Sequence, residues 1–300
     1  MGIKSLVKQT LAAAGYEIHR HGTFPGTLFP PGHFYSPIVD LSELERDRER
    51  VFDRIRDIAE IDLNENEQLQ LVKQFRKFYK DLPFEQSQDN VNLYYYDNPF
   101  YSYGDAIILS CMLRHARPKR LIEFGSGFSS CVSLDINRLF LGGSVECTFI
   151  DPNPERLEAL VVNYDHPMNI IKSRAQDIDL KQMSLLEPND IVFIDSTHVA
   201  KAGSDVNFHL FEVLPRLGPG VLIHFHDVFY PFEYPESWFF EENRSWNENY
   251  MLRAFLMGNV NYKIMFFNDF MRLRHFREVA DAMPLFENNP GGSLWIRKVR

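Results

Sequence analysis

Three hundred residues suffice for one large domain or one domain with an accessory piece, and 45 % hydrophobic with 24 % charged residues is the balance of a globular chain. The net charge of −9 comes with no dense Lys/Arg block, which argues against nucleic acid as a partner, because following a phosphate backbone requires clustered positive charge. Cys111, Cys131 and Cys147 are odd in number and lack metal-ligand spacing, and no apolar run approaches the ~18 residues of a membrane span, so a soluble, cytoplasmic chain with reduced thiols is expected.

The opening MGIKSLVKQTLAAAGYEIHRH is too weakly apolar for a signal peptide and predicts at most a short basic amphipathic helix. Residues 22–40 are rich in Pro and Gly and read as an irregular connector. Helical spacing follows, with Leu44, Val51, Ile55 and Ile58 in one run and Leu69, Val72, Phe75 and Phe78 in a second. Residues 1–90 are therefore read as a mainly helical N-terminal extension, a lid, acceptor platform or homodimer contact, preceding a domain over 91–300.

From residue 119 the texture changes. Short apolar runs at 119–124, 145–150, 168–173, 190–195 and 220–225 alternate with helical patterns near 128–140, 154–163, 179–187 and 203–217. A helical run at 248–259 and two more strands at 262–267 and 293–298 complete the chain. Continuous apolar strands alternating with helices imply a sheet covered on both faces, so the fold expected is α/β, a doubly wound, mostly parallel sheet of about seven strands.

Ligands of such sheets bind beyond the carboxyl ends of the strands. There the chain places Glu123, Gly125 and Gly127, then Asp151, Gln176-Asp177, Asp195 with His198, and His226-Asp227. In IEFGSGFSS, Ser130 holds the place of a third glycine and no Lys follows, so neither a dinucleotide fingerprint nor a phosphate-binding P-loop is present. Glu123 would repel a pyrophosphate but attract an ammonium, and Asp151 suits a ribose diol because an ionised carboxylate only accepts hydrogen bonds. Together these features describe a site for S-adenosylmethionine.

LIEFGSGFSS, TFIDPNPERL, IVFIDSTHV and GVLIHFHDVFYP resemble successive motifs of the class I S-adenosylmethionine-dependent methyltransferases, and the DSTH and HD strand ends resemble the small-molecule and sugar O-methyltransferase branch. The resemblance covers roughly residues 95–300, with GGSLWIRK as an antiparallel last strand. It implies a Rossmann-like methyltransferase fold in which Glu123, Gly125, Ser126, Gly127 and Ser129 hold the methionine part of the cofactor. Asp151 would hold the ribose, Gln176 and Asp177 the adenine, with Asp195 and Tyr103 also at the cofactor. The implied activity is O-methylation of a small-molecule, sugar or glycan hydroxyl.

For the chemistry, His198 and His226 are comparable candidates for a general base, since an imidazole titrates near working pH, and Asp195 stands beside them. Asp195, His226 and Asp227 also form a candidate site for Mg²⁺ or another divalent cation. The plainer readings are that Asp195, His226 and Asp227 satisfy loop amides and the cofactor, and that His198 anchors its loop through a backbone carbonyl. His224 is expected to be a core histidine. An NAD-dependent oxidoreductase on a similar sheet and a non-catalytic cofactor-binding module remain alternatives at this stage.

Overall fold

The computed structural model describes residues 28–89 and 91–300, together with Val7, Thr10, Leu11, Ala13 and Ala14. The amphipathic helix expected over the first 21 residues thus lies almost wholly outside the described residues.

Among those residues one seven-stranded sheet runs in the order β3-β2-β1-β4-β5-β7-β6. Its strands are β1 (Arg120–Phe124), β2 (Glu146–Ile150), β3 (Asn169–Ile171), β4 (Ile191–Ile194), β5 (Leu222–Phe225), β6 (Tyr262–Phe267) and β7 (Leu294–Lys298). The first five pair in parallel, and β7 runs antiparallel between β5 and β6. Central strands such as β4 and β5 are buried at every position, which explains why they read as unbroken apolar runs. The chain winds outward from β1 in one direction and from β4 in the other, so the β1/β4 boundary is the switch point at which a crevice opens. At the opposite edge the strands are closed by the buried Asp190, whose Oδ1 accepts the N–H of Lys119 (2.9 Å) and Arg120 (2.8 Å) while Oδ2 accepts that of Glu187 (2.9 Å).

The chain divides into two compact units, one of 1–53 with 236–245 and one of 54–235 with 246–300. This differs from the expected division at residue 90. The reason lies in the helix α3 (Glu65–Tyr79), reached after the short α1 (Leu41–Arg46) and α2 (Arg48–Val51). Its apolar face buries Leu71, Val72 and Phe75, and the Phe75 ring lies 5.7 Å from Phe266 of β6. Gln68 adds a polar stitch, accepting the Phe267 N–H at 2.8 Å and donating to the Leu63 carbonyl at 2.6 Å. So α3 is part of the sheet's cover. The smaller unit has its own ties. Asp40 caps α1, and Phe52 packs 5.8 Å from Phe239 in α10 (Glu236–Phe240), which returns to this unit.

In the larger unit, α4 (Tyr103–Ala116) leads into β1 and α5 (Phe128–Phe140) leaves it. The helices between later strands are shorter than their patterns: α6 is Glu155–Leu160 and α7 is Lys181–Ser184. The 203–217 pattern resolves into α8 (Asp205–Phe208), a π turn at His209–Val213 and α9 (Leu214–Arg216). Beyond β5 come α11 (Glu248–Leu256), and, between β6 and β7, α12 (Asn268–Arg274) and α13 (Phe276–Ala282). All three cysteines are buried and free, and no helix of the described residues is long and apolar enough to cross a membrane. Because Phe75 is fully buried against the sheet, Phe75→Ala should destabilise the larger unit by about 3–5 kcal/mol in denaturant unfolding, whereas a detachable extension would leave the midpoint unchanged.

Candidate active site

The crevice is built by backbone before side chains. Beyond β1 and β4, Gly125 N–H donates to the Ile150 carbonyl at 3.0 Å, and Asp195 N–H donates to that of Phe124 at 2.9 Å. Gly125 has φ +82°, and a Cβ placed on it would lie 1.7 Å from the Asp195 carbonyl oxygen. Only glycine allows these two strand ends to meet. His226 N–H continues the stitching to the Ile194 carbonyl at 2.9 Å, bringing the end of β5 alongside.

Glu123 lies fully buried beneath the first turn of α5, where its Oε1 accepts from the hydroxyls of Ser129 (2.6 Å) and Ser130 (2.9 Å). Its Oε2 has no partner. Burial raises the carboxyl's pKa to about 8, against the lowering pull of the two serines and with the charges of Asp195 and Asp151 adding to the rise. A neutral acid with one orphan oxygen fits a site completed by an ammonium. Asp151 accepts from both Ser126 N–H and Ser126 Oγ at Oδ2, 2.9 Å each, and from Asn153 N–H at Oδ1, 2.7 Å. Of the roughly four acceptor positions of a carboxylate, one therefore remains for a ribose hydroxyl unless the Ser126 hydroxyl turns away.

Beside this turn lies a cavity of about 390 Å³, lined among others by Gly125, Asp151, Gln176, Asp195, Thr197 and Lys201. That volume is within the range of small-molecule and cofactor pockets. Gln176 lines it and donates to the Gly203 carbonyl at 2.9 Å. Asp177 does not line it; Arg174 engages its carboxylate at 2.8 and 2.9 Å on the exposed side. Tyr103 is also turned to other work, donating to Asp97 at 2.9 Å and stacking on Tyr96 with centroids 4.8 Å apart. The aromatic ring that meets the site is that of the buried Tyr101, 5.2 Å from the His226 ring. Sequence spacing did not single out Asp205, whose carboxylate fixes the cavity wall by accepting from Thr197 N–H (3.0 Å) and Oγ1 (2.5 Å).

At the other side of Asp195 stand two imidazoles and two carboxylates. His198 Nε2 lies 3.4 Å from Asp195 Oδ1 and 3.8 Å from Asp227 Oδ2, and His226 Nε2 lies 3.5 Å from Asp227 Oδ1. His198 and Asp227 have φ of +58° and +56°. Non-glycine residues in this region cost about 1–3 kcal/mol each and cluster at functional sites. Burial works to raise the Asp195 pKa, but His226 and His198 outweigh it and hold the carboxyl at about 2. For His198 burial disfavours the charged ring, yet the hydrogen bonds to Asp195 and Glu248 and the charges of Glu248 and Asp227 prevail and raise its pKa well above the ordinary value. His226 shifts the same way, with burial overcome by Asp227, Asp195 and Asp105. The expectation that His198 titrates as an ordinary imidazole is thus corrected: the carboxylates around it favour the protonated ring.

His224 behaves as expected of a core residue. It stacks on Phe193 at 3.8 Å and shares a hydrogen bond of 2.9 Å with Ser293, which itself donates to the buried Asp105 at 2.5 Å. Because that hydroxyl proton is committed to Asp105, His224 supplies its own from Nε2, and its Nδ1 is left without a partner. As for a cation, Asp195, His226 and Asp227 are paired with one another or with His198, and no group of three or more His, Cys, Asp or Glu among the described residues is arranged to hold a metal ion. The expected metal set does not fit this arrangement.

Gly125→Ala should lower stability by more than about 2 kcal/mol in denaturant unfolding, through backbone strain and the clash with Asp195. An unchanged midpoint would show that the two strand ends can separate freely.

Residues 122–228 match a methyltransferase domain family (Methyltransf_24). An uncharacterized protein of Archaeoglobus fulgidus is 34 % identical over 171 residues, spanning 55 % of this chain and 77 % of its own. Among solved structures, the S-adenosylhomocysteine-bound methyltransferase PaMTH1 of Podospora anserina superposes with a TM-score of 0.44 at 16 % identity, covering 92 % of this chain and all of its own. The O-methyltransferase TomG of Streptomyces achromogenes, involved in tomaymycin synthesis and solved with S-adenosylmethionine, gives 0.41 at 13 % identity over 86 % of this chain and 96 % of its own. The family match runs from β1 through the end of β5 and so includes Glu123, Asp151, Asp195 and His226-Asp227. The oxidoreductase alternative is thereby set aside, and over residues 122–228 the chain is a methyltransferase domain on a doubly wound sheet.

Proposed function

We propose that this enzyme transfers a methyl group to a hydroxyl of a small, polyhydroxylated acceptor, with sugars and glycans as the leading class. The observation that carries the reading is the cluster of Asp195, Asp227, His198 and His226, which Asp195 joins to the cavity. An alcohol is a poor nucleophile until its proton is drawn away, so a hydroxyl acceptor needs a base beside it. Ionised carboxylates only accept hydrogen bonds, and Asp195 and Asp227 could hold neighbouring hydroxyls of one polyol.

Bound S-adenosylmethionine supplies the electrophilic methyl group on a sulfonium. The turn at Gly125 would let backbone approach that ligand, Glu123 Oε2 would take its ammonium, Asp151 one ribose hydroxyl and Gln176 the adenine edge. His198 Nε2 would take the acceptor's hydroxyl proton as the O–CH₃ bond forms and the S–CH₃ bond breaks, its electron pair leaving with sulfur as the neutral thioether. His198 and His226 are 4 % and 6 % exposed, so bulk water is largely kept from that proton transfer. Orientation in this dry crevice supplies most of the remaining acceleration. Because Asp195, Asp227 and His226 do not assemble as a ligand set, no step is assigned to a divalent cation.

His198→Ala should reduce turnover by roughly 10²–10⁴-fold while leaving S-adenosylhomocysteine affinity unchanged; equal loss of both would remove His198 from the chemistry. A base must be unprotonated to act, and the His198 pKa is raised, so turnover should climb as pH rises above neutrality and level off only above that pKa. A flat profile from pH 6 upward would contradict the assignment.

A further inference from the structure

His198 is held by a segment outside the family match. Trp246, Asn247 and Glu248 are the first residues to rejoin the larger unit after 236–245, and Glu248 opens α11. The His198 carbonyl accepts the N–H of Asn247 at 3.1 Å and of Glu248 at 3.2 Å. The Asn247 amide grips Ala200 in both senses, accepting its N–H at 2.6 Å and donating to its carbonyl at 3.2 Å. The Trp246 indole lies against the imidazole, with centroids 4.4 Å apart and planes 30° from one another. Glu248 Oε2 stands 2.8 Å from His198 Nδ1.

Two features separate this from ordinary packing. The loop is kept at a left-handed φ of +58° at His198, a conformation that persists only where the surroundings over-determine it. Glu248 is 2 % exposed with its Oε1 unpartnered, and a buried carboxylate satisfied at one oxygen is a poor stabilising device. Such a group is better explained by what it does to the ring it touches.

We propose that Glu248 is a positioning residue for methyl transfer: its carboxylate receives Nδ1–H of His198 and aims Nε2 at Asp195, Asp227 and the acceptor hydroxyl. Asn247 and Trp246 fix the loop that carries the ring. The inference rests on His198 serving as the proton acceptor. An acidic partner at Nδ1 selects which ring nitrogen is free to work and stabilises the charge that forms when Nε2 takes a proton. Glu248 touches no substrate itself.

The test needs no acceptor. In protein labelled with ¹⁵N-histidine, long-range NMR spectra should show a proton on His198 Nδ1, downfield and slow to exchange, assigned by its disappearance in His198→Asn. Glu248→Leu should abolish that signal. Glu248→Gln, which keeps the size and an acceptor oxygen, should move it upfield because the acceptor has lost its charge. Both variants should keep wild-type affinity for S-adenosylhomocysteine by calorimetry. A wild-type Nδ1 without a proton, or a signal unmoved by Glu248→Gln, overturns the proposal. Should Glu248→Leu fail to fold, the Gln variant carries the test alone. Failure of wild-type protein to bind S-adenosylhomocysteine would instead overturn the functional reading, and leaves the spectra interpretable.

Discussion

The site depends on one contact, the absence of a side chain at Gly125 against the carbonyl of Asp195. At the switch point of a doubly wound sheet, β1 and β4 diverge in their connections but must remain adjacent at their ends. Closing that gap to backbone distance brings Asp151 and Asp195 to one cavity, with Glu123 buried under the adjoining first turn of α5 and His198 beside Asp195. In the proposed reaction a methyl group passes between two bound molecules only if both are held in line within bonding reach, so the separation of the strand ends would set its geometry.

The crevice then sorts its acids by their neighbours. Glu123 is the last residue but one of β1 and Asp195 the first beyond the neighbouring β4, yet one carboxyl is raised to about 8 and the other lowered to about 2. Burial pushes both upward. Glu123 meets only serine hydroxyls and like charges, whereas Asp195 faces His226 and His198. One acid is thereby kept neutral, while the other stays ionised and favours the charged form of the imidazoles. The division of labour along the sheet edge follows from which partners each strand end meets.

Much of this was legible in the sequence. Strands buried on both faces leave unbroken apolar runs, so all seven strands are legible to within two residues of their ends. The polar residue closing each run then pointed to the crevice. Periodicity is silent about what lies across a contact, and the shortfalls share that cause. The pattern showed that α3 buries Val72 and Phe75 but not that their partner is β6, so the boundary fell at residue 90 instead of 53. Asp177 follows the cavity-lining Gln176 and Tyr103 stands two positions after Tyr101, whose ring meets His226, but Arg174 and Asp97 claim their polar groups. Glu248 left no local signal because its partner lies fifty positions earlier in the chain.

The central claim, that the crevice takes an S-adenosyl ligand through the buried Glu123, is tested most directly by calorimetric titration with S-adenosylhomocysteine near pH 7 in buffers of different ionisation heat. Glu123 is largely protonated there in the free protein, since its pKa is about 8, and an arriving ammonium favours the ionised form. The account predicts binding accompanied by net proton release, with the release lost in Glu123→Gln. Absence of binding would contradict the account as a whole, and binding with no proton released would remove Glu123 from the contact with the ligand.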